Sequence, residues 1–162
     1  MWNVVTNPKI ETRLSLWSWA ALRKLGSQPD SDEAVKIIGV VIQVPMHGGH
    51  DVLAVYSDDS ARYVNHSGKI IVWNLPDTRM SKLVHTIMER SNNLDYSEPT
   101  LMHDQIGADV VRITALTIGG NRVSEVAIDS LRTSPINEVL SVGAELIGNL
   151  AKRSEEATKE SR

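Results

Sequence analysis

The chain has 162 residues, a formal net charge of −3 from 17 Lys+Arg against 20 Asp+Glu, and neither cysteine nor phenylalanine. That length suits one domain, and a 41% hydrophobic content supplies a core. Without cysteine there are no disulfides, thiolate nucleophiles, iron–sulfur clusters or cysteine-ligated zinc sites.

The first predicted element is a helix from about Ile10 to Leu25, stopped by Gly26. Ile10, Leu14, Trp17, Ala21 and Leu25 recur at spacings of 4, 3, 4 and 4 and make one continuous stripe. Leu16, Trp19 and Ala20 lie off that stripe, so the helix is apolar on two faces. Such a helix is buried on both sides or touches something outside the domain. The following segment, GSQPDSDE, reads as a loop.

Four strand-like segments come next: Val35 to Val44, with Gly39 as a bulge candidate, then Val52 to Tyr56, Ala61 to Asn65 and Lys69 to Trp73. The links HGGHD, SDDS and Ser67-Gly68 are too short for parallel crossovers, so these strands form an antiparallel meander. A helix capped by Asp77 or Thr78 follows, with Met80, Leu83, Val84, Ile87 and Met88 on one face. Leu94 to Ala108 is a polar connector, long enough to hold a further strand or a functional loop. Val110 to Ile118 and Arg122 to Asp129 make a second hairpin around Gly119-Gly120-Asn121. Ser134 caps the last helix with Pro135 at its first position, and Ile136, Val139, Leu140, Ile147, Leu150 and Ala151 form its core face. Gly143 lies in that stripe and leaves room for another backbone.

The expected fold is therefore α+β: a two-layer domain with a mainly antiparallel sheet, a four-stranded meander plus a second hairpin, and three helices. Residues 1–151 form the domain, and 152–162 are a charged helix end or a disordered tail. The layout resembles that of small profilin-like and roadblock-like sensor and adaptor domains, with no motif behind the likeness.

Several side-chain groups invite chemistry. His47, His50 and Asp51 in HGGHD offer two imidazoles and a carboxylate for a divalent metal, but spacing places no further ligand beside them. His103 and Asp104, inside the 94–108 loop, suggest acid–base work, with Asp109 or Glu98 as an outside partner. Ser67 and Ser134 sit in no nucleophile elbow. Asp58-Asp59 lacks the spaced ligands of a calcium loop and reads as a solvated turn. Arg62, Tyr63, Lys69 and Trp73 fall on neighbouring strands, yet strand alternation separates them, and an acidic chain argues against a nucleic-acid partner. The start lacks the marks of a secretory signal, and no stretch approaches the roughly 18–20 apolar residues of a membrane span. A cytoplasmic location without membrane contact is expected.

Three of the four tryptophans, Trp2, Trp17 and Trp19, fall within the first nineteen residues, and tryptophan is enriched at interface hot spots. The leading expectation is a non-catalytic protein–protein interaction domain, a homodimer or a subunit of a larger assembly. Its contact residues would be Trp2, Leu16, Trp19 and Ala20, and no cofactor is expected. The alternative is a small enzyme or ligand-binding domain using the 94–108 loop, with His103 and Asp104 as its catalytic pair.

Overall fold

The computed structural model describes residues 10–97 and 105–160. Helix α1 (Thr12–Lys24) and a single turn, α2 (Ser31–Ala34), precede the meander β1 (Gly39–Met46), β2 (Gly49–Tyr56), β3 (Ala61–Val64) and β4 (Ile70–Trp73). Helix α3 (Thr78–Ser91), the hairpin β5 (Val110–Thr117) and β6 (Gly120–Ala127), a 3-10 segment (Ile128–Thr133) and α4 (Ile136–Glu160) complete the order. All six strands join one sheet in the order β4-β3-β2-β1-β5-β6, and every pairing is antiparallel. The class is α+β as expected, with the second hairpin added at the β1 edge. Two short helical pieces, α2 and the 3-10 segment, join the three expected helices. At four and six residues they are too short to carry a helical period.

Two expectations about β1 shift. Its first residue is Gly39 rather than Val35, which instead closes α2 and is exposed. No bulge occurs at Gly39, because Gly39 pairs with Tyr56 and Val40 with Val55 in unbroken register. Glycine is needed there for space: a Cβ would stand 3.1 Å from the side chains of both Tyr56 and Leu116. At the other end Met46 pairs with Gly49, so the hairpin loop is only His47 and Gly48. Gly48, at φ 85°, takes the left-handed backbone at the second position of this loop, where glycine is favoured.

One face of the sheet carries Val40, Ile42, Leu53, Val55, Val111 and Ile113, all buried against α3 and α4. Met80, Val84 and Ile87 are the buried centre of α3, which agrees with its period. The buried arc of α4 runs through Ile136, Val139, Val142, Leu146 and Leu150. Leu140, Ile147 and Ala151, which the period also assigns to the core face, flank that arc half-buried. The pattern is compatible with both arcs, and packing against α3 and the sheet selects between them. Gly143, within this helix, would place a Cβ 3.1 Å from Ile42 Cδ1, so the close neighbour is a side chain and not a backbone.

Capping follows the sequence closely. Asp77 Oδ1 accepts the N–H groups of Arg79 at 2.9 Å and Met80 at 3.1 Å, and Ser134 Oγ accepts that of Ile136 at 3.2 Å. Helices α3 and α4 run antiparallel and are laced at the surface by Arg153–Asp77 and Arg79–Glu145. Such exposed pairs contribute little each. Among the described residues no helix is long and apolar enough to cross a membrane.

Candidate protein interface

Helix α1 lies outside the main core, at the strand ends that carry Tyr56 and Leu116. It is fastened at both tips. At its start, the Thr12 N–H donates to Asp58 Oδ2 at 2.8 Å, and the Thr12 and Ser57 hydroxyls meet at 3.1 Å. Glu11 occupies the N-cap position without a side-chain cap bond, and its carboxylate pairs with Arg13 and with Arg62 on β3. At its end the Arg23 guanidinium donates to the Ile118 carbonyl in the β5–β6 turn, and Leu22 is buried.

The turn between β2 and β3 holds helices on two sides. Asp58 takes α1, as above, and also accepts from the Ser60 hydroxyl at 2.6 Å. Asp59, at φ 64°, accepts from Ser81 Oγ at 2.8 Å and pairs with His85 Nε2 at 2.9 Å, both on α3. Burial works to raise the Asp58 carboxyl, but the hydrogen bonds from Ser60 and Thr12 outweigh it and hold it below the usual carboxylate range. The expected solvated turn is therefore a two-sided clamp.

The two faces of α1 differ sharply in exposure. Leu14 is 48% exposed, Trp17 81% and Leu25 75%. They belong to the continuous stripe seen in the sequence, whose other members, Ile10 and Ala21, are half-buried. Leu16, Trp19 and Ala20 lie half-buried on the other side, towards Thr12 and Leu22. Spacing identifies residues that share a face but not which face turns inward, and both faces of α1 are apolar. Trp2 lies outside the described residues.

Between α1 and the sheet runs an open groove of about 460 Å³. Leu16 and Ala20 line its helix side, Tyr56, Leu116 and Asn121 its sheet side, and Arg13 and Arg23 also line it. Burial pushes the Tyr56 phenol up, opposed by the charges of Arg13 and Arg62, and burial lowers the Arg23 guanidinium. The groove and the exposed stripe meet at Leu14 and Trp17, which line the groove as well.

The other groups singled out in the sequence are dispersed. His47 is in the hairpin loop, while His50 and Asp51 are consecutive strand residues and so point to opposite faces. Asp51 is engaged by Tyr63 and His66. Among the described residues no three His, Asp or Glu side chains lie close enough to hold a metal ion. Glu98, His103 and Asp104 lie outside the described residues, and Asp109 carries a backbone contact through its carbonyl to the Ile128 N–H. The Ser67 hydroxyl donates to Asn65 Oδ1 at 2.8 Å, and Ser134 caps α4. Tyr63 and Trp73 turn towards the helices, on the opposite side of the sheet from Arg62. Ser97, at the start of the long connector, donates its N–H to the Val123 carbonyl and so runs along the outer edge of β6.

Compared with known proteins, the chain matches no protein-family model, no curated protein and no solved structure.

Proposed function

We propose that this chain is a protein–protein interaction domain that self-associates through α1, forming a two-fold homodimer. The observation that carries the reading is Trp17, an indole 81% exposed between two further exposed apolar residues on one helix stripe. A tryptophan presents roughly 200 Å² of surface. Covering it is worth about 5 kcal/mol at ~25 cal/mol per Å², before the cost of association.

The stripe is complementary to itself. Laid antiparallel on a second copy, Leu14 faces Leu25, and the bulky Trp17 faces the small Ala21. A two-fold axis near residues 19 and 20 generates both contacts at once, as an isologous interface requires. The antiparallel arrangement also sets the basic ends, Arg23 and Lys24, at opposite tips of the pair. A parallel arrangement would bring those four cations together.

The chain lacks cysteine, so Ala21→Cys introduces a single thiol. A short bis-maleimide is expected to join two copies through that thiol in high yield. A cysteine at Lys152, exposed on α4, is expected to give only collisional product. Equal low yields from the two positions would count against the dimer and leave α1 to a different protein.

A further inference from the structure

A second cavity lies at the opposite end of the sheet, on the opposite face from α1. It is an open pocket of about 270 Å³ between the β1–β2 hairpin and the half-buried flank of α4. Its walls are Ile42, Val44 and Leu53 from the sheet, and Leu140 and Ile147 from the helix. Gly143 and Ala144 make the room between them. One lining residue is charged, and it is Asp51.

The register explains its position. Val44 pairs with Asp51 and Ile42 with Leu53, so Asp51 stands on the core-facing side of β2, one pleat beyond the buried Leu53. A carboxylate there ends an apolar wall. It is held in place by the Tyr63 hydroxyl, which donates to Oδ2 at 2.7 Å, and by His66. The His66 N–H and Nδ1 both reach Oδ1 at 2.9 Å. Among the described residues the ion-pair partner of Asp51 is His66, charged only when its imidazole is protonated, and no lysine or arginine pairs with it. Burial works to raise its carboxyl, but the Tyr63 and His66 hydrogen bonds prevail and hold it below the usual carboxylate range. The site thus presents a fixed negative charge beside an apolar cavity, in surroundings where a charge interaction is stronger than in water.

We infer that this pocket binds a small hydrophobic cation, an aryl- or alkylammonium, with Asp51 as counter-ion to the ammonium and the Ile42–Leu140–Ile147 walls around the apolar body. An anion would face a carboxylate with no lysine or arginine beside it. A neutral ligand of the same shape would gain the walls alone. The pocket is independent of α1 and of the dimer proposed above.

The test uses three probes of one shape on the full chain: phenethylammonium, 2-phenylethanol and phenylacetate, followed through the methyl NMR signals of Ile42, Leu53, Leu140 and Ile147. Phenethylammonium is expected to shift those methyls with a Kd of about 1 mM, a normal strength for so small a ligand. The alcohol is expected to bind about tenfold more weakly and phenylacetate more weakly still, because only the ammonium gains a charge-assisted hydrogen bond. Asp51→Asn is expected to bring the ammonium down to the alcohol's affinity. Ala144→Leu, at an exposed helix position that tolerates leucine, is expected to block all three probes while the fold is kept. It therefore decides the matter even if Asp51→Asn loosens the hairpin. Equal binding of the three probes, shifts confined to other methyls, or full binding to Ala144→Leu would each overturn the inference.

Discussion

Asp58 and Thr12 are 46 residues apart in sequence and 2.8 Å apart in space, the carboxylate of one capping the first N–H of the helix begun by the other. Helix α1 has no cap of its own, so the β2–β3 turn supplies it. The helix bearing the exposed tryptophan is thereby oriented by the sheet and not by its own sequence. Asp58→Ala should lower stability by about 1 kcal/mol, the usual cost of a lost cap. Amide exchange should accelerate at Thr12 to Ser15 while the amides of β1 and β5 keep their protection, because α1 stands outside the main core. Uniform acceleration across the chain would mean that α1 unfolds only with the whole domain.

Asp51, which accepts from Tyr63 and His66, and Asp58, which accepts from Thr12 and Ser60, both lie below their usual range in the folded chain. A folded value below the unfolded one stabilises the protein above the unfolded value, about 3.9 for aspartate, and this stabilisation is lost as pH falls through the folded value. Melting temperature should therefore be nearly flat near neutrality with respect to these two groups and should drop in acid below about pH 4. Asp58→Asn should melt below the wild type at pH 6, and the gap should close as the pH is lowered through the folded value. A gap constant across the acid limb would show that the carboxylate's charge is not what Thr12 and Ser60 stabilise.

Gly119 marks a close approach that can be probed by one methyl group. A Cβ there would stand 2.5 Å from the Ala34 carbonyl oxygen, which also accepts the Gly119 N–H at 3.0 Å. Backbone on both sides leaves nothing flexible to give way, and Gly119→Ala should cost about 2–3 kcal/mol, at the upper end for overpacking. Gly148, exposed in α4 with open space where its Cβ would be, is the control. Gly148→Ala should raise stability by about 0.5–1 kcal/mol through helix propensity. Urea unfolding of the two variants should move the midpoint in opposite directions.

Much of the fold is legible in local patterns. Short glycine- and aspartate-rich links force antiparallel hairpins, and the one-sided period of α3 names its buried residues Met80, Val84 and Ile87 correctly. The caps at Asp77 and Ser134 follow from residue type and position alone. What stays hidden depends on long-range placement. That Trp19 is half-buried while Trp17 is exposed follows from where Asp58 and Ile118 fasten the helix, and nothing near residue 17 encodes that. The grouping of Asp51 with Tyr63 and His66 is likewise invisible in HGGHD, because the partners come from the next strand and turn. The alternation of β2 does contain one clue: an aspartate two residues before Leu53 shares its face, so a charge is placed at the margin of the core. The pocket beside it depends on how Leu140, Gly143 and Ile147 of α4 lie against β1 and β2, which the α4 period does not specify.

Whether the Leu14–Trp17–Leu25 stripe joins two copies of this chain is read by sedimentation equilibrium of the wild type beside Trp17→Asp, with circular dichroism to check that both are folded. A wild-type mass near twice 17.9 kDa is expected, with a folded, monomeric Trp17→Asp variant whose melting temperature, unlike that of the wild type, does not rise with protein concentration. A monomeric wild type, or a folded variant that remains a dimer, would contradict the proposed interface.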